Sequence, residues 1–289
     1  MTWTNTIKQT VKARRAGLVA CALAFTLAWG VAAPAPALAD VRKADVVYGQ
    51  TVEARDLSVA QCPNIDAEYA LVMDADGTVY FERNATSPTQ IASITKVMTA
   101  IVALDAVASG AVSLDSTVTV SAAAAAVGES SAGLQEGDAM PLEVALKALL
   151  VPSGNDAAVA IAETIGGSED AFVASMNAKA AELGCTNTHF VNPHGLPDEN
   201  HYTSVYDLYL IFQNAVQDQT FLDIISTMSY DVVYTDVNGA GVERTWENTN
   251  QYLTGKEKAP EGITVVGGKT GTTGAAGYCL VLYSYNASG

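Results

Sequence analysis

Strand-forming residues cluster near the two ends of this chain, and the stretch between them is mostly helical in pattern. Tyr69-Ala70-Leu71-Val72-Met73 and Thr78-Val79-Tyr80-Phe81 flank Asp74-Ala75-Asp76-Gly77, which reads as a hairpin. At the far end, Ile263 to Thr270 and Gly277 to Tyr285 read as a second strand pair. Between them, Ile94, Val97, Met98, Ile101, Val102 and Leu104 recur at helical spacing until Gly110. Further helices are expected from Pro141 through Leu150, from Ala157 to Ile165 before Gly166-Gly167, from Asp170 to Leu183, and from about Val205 to Val216. Residues 40–67 read as an irregular lead-in, and Leu114 to Met140 as short helices and loops. A further hairpin is expected at Tyr230–Tyr234 and Val242–Trp246, around Asn238-Gly239. Strands at both ends with helices between them suggest one sheet assembled from the two ends. The fold class is therefore α/β (α+β): a mainly antiparallel sheet flanked by helices, plus a helical lobe.

The first residues carry an address. Lys8, Lys12, Arg14 and Arg15 precede an apolar run from Ala16 to Ala33, and Ala37-Leu38-Ala39 ends in small residues. That order describes an export signal over residues 1–39, cut after Ala39. Pro34, Pro36 and the Ala-Leu-Ala site favour cleavage over an uncleaved anchor. Lipidation at Cys21 is disfavoured, because only five residues separate it from Arg15 and apolar sequence continues beyond it. The expected location is extracytoplasmic, in the cell envelope.

Of the 15 basic residues, the signal removes four and leaves 11 against 31 acidic, a net charge of −20. Such a chain repels nucleic acid, and the charge keeps an exported protein soluble. The remaining residues, 40–289, suffice for one large domain or two closely packed lobes. Cys62, Cys185 and Cys279 survive cleavage; an odd number at distant positions is not a disulfide framework, and the sequence chooses no pair.

Three short motifs carry chemistry. Ser93 and Lys96 are three residues apart at the start of a buried helix, so both side chains share a face. A serine hydroxyl needs a base to become a nucleophile, and a lysine can be that base once burial lowers its pKa. The positive end of the helix dipole assists both effects. Ser153-Gly154-Asn155 lies on a turn between two helices, where its polar side chains either project into a cleft or cap the next helix. Lys269-Thr270-Gly271 ends a β-branched run and could receive a carboxylate, or simply close a strand. Gly268-Lys269-Thr270 is not a phosphate loop, since five residues separate Gly262 from Gly268 where four are required.

Ser-x-x-Lys, Ser-x-Asn and Lys-Thr-Gly in this order resemble the penicillin-recognising serine enzymes, the penicillin-binding proteins and serine β-lactamases. The surrounding words Ala92 to Thr99, Ser153 to Ala158, Thr188 to Leu196 and Gly268 to Gly271 are similar to low-molecular-mass D-alanyl-D-alanine carboxypeptidases. The resemblance runs from about residue 60 to the end. It implies a β-lactamase/transpeptidase-like fold and removal of the terminal D-alanine from peptidoglycan stem peptides through an acyl-enzyme, with β-lactams as inhibitors. By resemblance Ser93 is the nucleophile, Lys96 its base, Ser153 the proton relay and Asn155 their positioner. Lys269 and Thr270 would bind the terminal carboxylate, Gly271 would make room for the substrate backbone, and Ser93 and Thr272 N–H groups would form the oxyanion hole. No metal or other cofactor is implied. Members usually continue past the equivalent of Gly289, so any membrane association would run through a C-terminal segment not in this chain, and the domain is expected to be truncated there.

Three rivals are weaker. A zinc peptidase lacks support, because His189, His194 and His201 form no His-Glu-x-x-His, and His189 and His194 are expected to shape a turn around Asn192-Pro193. The commonest β-lactamases place Glu-x-x-Leu-Asn between the second and third motifs, and Glu163, Glu169, Glu182, Glu199, Glu243, Glu247 and Glu261 have other neighbours. A non-catalytic peptidoglycan-binding module would be expected to have lost Lys96 or Lys269.

Overall fold

The computed structural model describes residues 65–286, together with the backbone of three short stretches, 18–25, 46–47 and 50–51. Most of the expected export signal, most of the lead-in and Cys62 lie outside the described residues. In chain order the strands are β1 (Leu18–Phe25), β2 (Val46–Val47), β3 (Gln50–Thr51), β4 (Ala70–Asp74), β5 (Val79–Arg83), β6 (Thr117–Thr119), β7 (Ala139–Pro141), β8 (Ser229–Thr235), β9 (Gly241–Glu247), β10 (Ile263–Thr273) and β11 (Gly277–Asn286). The helices are α1 (Lys96–Ala108), α2 (Ala122–Ala126), α3 (Leu142–Leu150), α4 (Asn155–Gly166), α5 (Glu169–Glu182), α6 (Val205–Ala215), α7 (Gln219–Ile225) and α8 (Gln251–Thr254).

The main sheet has the order β10-β11-β1-β4-β5-β2-β3, and its neighbouring strands pair antiparallel. Strands from both ends of the chain build it, as their positions in the sequence require. β10 stands at its edge, with Lys269 opposite Val281 and Gly271 opposite Cys279, so one strand side stays open to a ligand. β1 lies within the segment expected to be the export signal, and pairs with β11 on one side and β4 on the other. An uninterrupted apolar run suits a central strand as well as it suits an export signal. A smaller antiparallel sheet, β6-β7-β8-β9, lies beside the helices.

Helix α1 runs through the core. Every residue from Lys96 to Leu104 is buried, which an amphipathic surface helix cannot achieve and a central one must. Leu142, Leu146, Leu149, Ile161, Phe172, Phe212 and Phe221 belong to the same apolar cluster. Four sequence expectations need correction, the first being that residues 40–67, read as irregular, contain the short strands β2 and β3. Ser93 lies not in the first turn of α1 but in a separate 3-10 turn, Ala92–Thr95, that leads into it. The stretch Leu114 to Met140 contains the strands β6 and β7; three-residue strands carry too little alternation to be read. Helices α7 and α8 were not anticipated either, being only seven and four residues long. Cys185 and Cys279 are both free thiols. Among the described residues no helix is long and apolar enough to cross a membrane.

Candidate active site

The turn that carries Ser93 begins at Ala92, whose φ of +49° is unusual for a residue with a side chain. The backbone there is pressed by a loop between α5 and α6. Asn192 organises that loop, its Oδ1 accepting from Gly195 N at 2.7 Å and its Nδ2 donating to Leu196 O at 3.0 Å. Gly195 has φ +90° and packs so closely that a Cβ on it would stand 1.9 Å from Ala92 O. Thr99 Oγ1 donates to Pro193 O at 2.6 Å. His201 accepts from Val191 N through Nδ1, which leaves its Nε2–H to donate to Thr95 Oγ1 at 2.8 Å. Burial, first, holds His201 neutral, with its pKa lowered to about 4. The loop is thus a buttress under the turn that carries Ser93.

Lys96 is fully buried and its Nζ has three neighbours: Ser93 Oγ at 2.8 Å, Asn155 Oδ1 at 2.6 Å and His194 O at 2.9 Å. Two of the three can only accept. The Asn155 amide is oriented by its own Nδ2, which donates to Gly128 O at 3.0 Å. A neutral amine has two N–H donors and one lone pair. Its donors fit Asn155 Oδ1 and His194 O, and its lone pair meets the Ser93 hydroxyl. Burial and then the nearby Lys269 charge push the Lys96 pKa well below the ordinary lysine value, against the pull of Asp156 and Glu129. The lowered pKa gives this amine the capacity to accept a proton from Ser93.

Ser153 adopts φ +68° just before α4, whose N-cap is Gly154 with no side-chain cap. Asn155 therefore does not cap the helix; it serves Lys96. Asp156 holds the facing loop by accepting from Ala132 N at 3.0 Å and Leu134 N at 3.1 Å. From β10, Lys269 Nζ donates to Ser153 Oγ at 2.8 Å and to Thr270 O at 2.7 Å. Lys269 is 1 % exposed, and burial lowers its pKa to about 7. Gly271 leaves no space for a side chain: a Cβ would stand 2.7 Å from Ile91 O and 3.0 Å from Ser93 N.

These elements surround a cavity of about 640 Å³. Ser93, Ser153, Thr270, Gly271 and Thr272 line it, while Lys96, Asn155 and Lys269 sit buried behind the lining. All eight residues singled out in the sequence are brought to one place. One wall was missed. Thr249, Asn250, Gln251, Tyr252 and Glu257 line the same cavity, and Thr249 Oγ1 lies 2.6 Å from Thr270 Oγ1. Ser130 and Cys279 also line it. The buttressing contribution of His194, through a backbone carbonyl, was missed too. A carbonyl contact leaves no mark on residue identity, and the polar run 247–251 reads as an ordinary loop.

Residues 56–287 match the model of the D-alanyl-D-alanine carboxypeptidase family, peptidase S11. The chain is 37 % identical over 218 residues to D-alanyl-D-alanine carboxypeptidase DacF of Bacillus subtilis (strain 168), covering 74 % of this chain and 53 % of that one. It is 32 % identical over 239 residues to DacC of Escherichia coli (strain K12), covering 80 % of this chain and 54 % of that one. The chain thus spans about half the length of these curated relatives. The crystal structure of the Streptomyces K15 DD-transpeptidase superposes with a TM-score of 0.63 at 30 % identity, covering 73 % of this chain and 86 % of the other. A mutant of that enzyme superposes with a TM-score of 0.69, covering 78 % and 92 %.

Proposed function

The chain belongs to the D-alanyl-D-alanine carboxypeptidase family, and from that premise we propose that it removes the terminal D-alanine from peptidoglycan stem peptides through an acyl-enzyme on Ser93. The observation that carries this reading is the buried Lys96 Nζ, 2.8 Å from Ser93 Oγ and held in place by Asn155 Oδ1 and His194 O. Ser93 Oγ bonds to the carbonyl carbon of the penultimate D-alanine while Lys96 takes its proton. Charge develops on the carbonyl oxygen, which the N–H groups of Ser93 and Thr272 receive, at roughly 3–4 kcal/mol per donor in comparable acyl transfers. The C–N bond then breaks, and the departing amine takes a proton from the Ser153 hydroxyl, which Lys269 leaves free by donating to its oxygen. The proton that Lys96 took replaces the one that Ser153 gave away; water then attacks the ester, its hydroxyl staying on the departing shortened peptide and its proton returning to Ser93.

Thr270 would meet the substrate's terminal carboxylate directly, with the Lys269 charge behind it. That charge has a pH limit. Because the Lys269 pKa is lowered to about 7, the ammonium is present below that pH and is lost above it. Acylation by benzylpenicillin is expected to rise with pH as Lys96 sheds its proton, then fall above about 7. In Lys269→Arg the falling limb should move out of reach, since a guanidinium stays charged. An unchanged falling limb in that variant would assign it to another group.

Residues 1–39 would act as an export signal and residues 40–289 as the catalytic domain, working outside the cytoplasm. Cleavage after Ala39 would withdraw β1 from between β4 and β11.

The test is intact mass over hours with benzylpenicillin, for the wild-type chain and Ser93→Ala. A stable adduct of one penicillin, absent from the variant, is expected. An adduct that turns over within seconds would point to a β-lactamase, and none in a folded chain would sink the proposal.

A further inference from the structure

The cavity holds a feature that the three motifs do not explain. Thr249 and Thr270 come from separate segments, yet their hydroxyl oxygens are 2.6 Å apart on the cavity wall. A pair of hydroxyls shares one hydrogen between two oxygens, so the other hydrogen is left to donate elsewhere. The position of Thr249 is built rather than incidental. Its N–H donates to Val151 O at 3.3 Å, tying it to the turn that presents Ser153. The residues on either side of it are buried asparagines. Asn248 Nδ2 donates to Thr227 O and its Oδ1 accepts from Asn250 N, while Asn250 Oδ1 accepts from Tyr252 N. Asn250 Nδ2 is buried with no partner among the described residues, so the same wall keeps a further donor in reserve.

Charge sharpens the point. Among the described residues no lysine or arginine side chain lines the cavity; Lys269 stands behind the lining, donating to Ser153 Oγ and Thr270 O. The charged side chain on the lining is Glu257, which cannot donate to an anion, so an anion entering here has to be held by the neutral donors.

We propose that Thr249 is a specificity-determining residue, forming with Thr270 a two-hydroxyl clamp for the carboxylate at the substrate's C-terminus. The separation of the two oxygens is close to that between the oxygens of a carboxylate, so each hydroxyl can donate to one of them. In the free protein the two hydroxyls satisfy each other, which keeps Thr270 paired and in place. On docking, the mutual bond is exchanged for two bonds to the anion. This rests on the acyl-enzyme reading above, in which Thr270 meets that carboxylate.

The experiment compares acylation rates for benzylpenicillin, which has a free carboxylate, and for its methyl ester, in wild type, Thr249→Val and Thr249→Ser. A hydrogen bond to a charged group predicts that the preference for acid over ester falls roughly tenfold to a hundredfold in the valine variant and returns with serine. Thr249 is exposed, so the variants should fold, and a thermal melt verifies it. A preference unchanged by Thr249→Val overturns the clamp, whether or not both rates fall together. Should neither compound acylate the wild-type chain, the acyl-enzyme reading fails instead. The clamp is then read calorimetrically with N-acetyl-D-alanine and its amide: tighter binding of the acid, lost in Thr249→Val, upholds it, and no preference overturns it.

Discussion

Lys96→Met should acylate with benzylpenicillin roughly 10²–10⁴ times more slowly than the wild type, the range that a positioned general base contributes. Methionine matches lysine in length and volume, so the buried site at the start of α1 stays filled while the amine disappears. The loss is chemical as well as geometric. Asn155 Oδ1 and His194 O each lose the donor they share the interior with, at about 1–3 kcal/mol per abandoned acceptor. Part of that is returned because the interior no longer desolvates an ionisable amine. Stability should therefore change far less than the rate. Stopped-flow acylation beside a thermal melt separates the two, and a variant within tenfold of the wild-type rate would mean that the Ser93 proton goes elsewhere.

Gly195→Ala is expected to be among the most damaging single-methyl additions in the chain, although Gly195 contributes no side chain to any reaction. Its φ of +90° excludes ordinary L residues, and the added Cβ would stand 1.9 Å from Ala92 O and 2.9 Å from Thr95 Oγ1. Backbone, not a flexible side chain, must move. The displaced atoms belong to the turn that holds Ser93 over Lys96, so folding and acylation should suffer together. A loss of about 4 kcal/mol or more places it in the exceptional class of point changes, lowering the melting temperature by roughly 10 °C. Gly239→Ala is the control. Gly239 also has positive φ, +78°, but a Cβ there meets nothing within 4 Å, so only the backbone term of about 1–2 kcal/mol applies. Equal losses at the two positions would show that conformation, not crowding, governs both.

Much of this was legible from residue order alone, and what was not has common causes. The all-apolar pattern after Ser93 announced a buried helix, and the β-branched runs around Lys269 and Cys279 announced paired strands, because burial and pleat leave periodic marks. The family's α+β arrangement followed from where those marks fall. Short strands such as Thr117–Thr119 escape, since three residues with one buried valine have no period to measure. The Thr249 wall escapes for another reason. Its contact with Thr270 spans a hairpin's length of chain and depends on asparagines that read locally as loop formers. Asn155 shows the limit from the other side: beside an alanine-rich helix a cap is the ordinary inference, and only the fold shows its amide turned toward Lys96.

The main sheet draws its strands from both ends of the chain, and this sets the order in which reactivity can arise. Synthesis proceeds from the N-terminus, so Ser93, Lys96, Ser153 and Asn155 exist long before Lys269 does. Until β10 lies against β11, no second ammonium helps to keep Lys96 neutral and the Ser153 hydroxyl has no cation beside it. Contacts between such distant segments also form late, because loop closure must precede them. A nascent or partly folded chain should consequently be inert toward acylating compounds, and labelling by penicillin would then report completion of the sheet as much as presence of the serine.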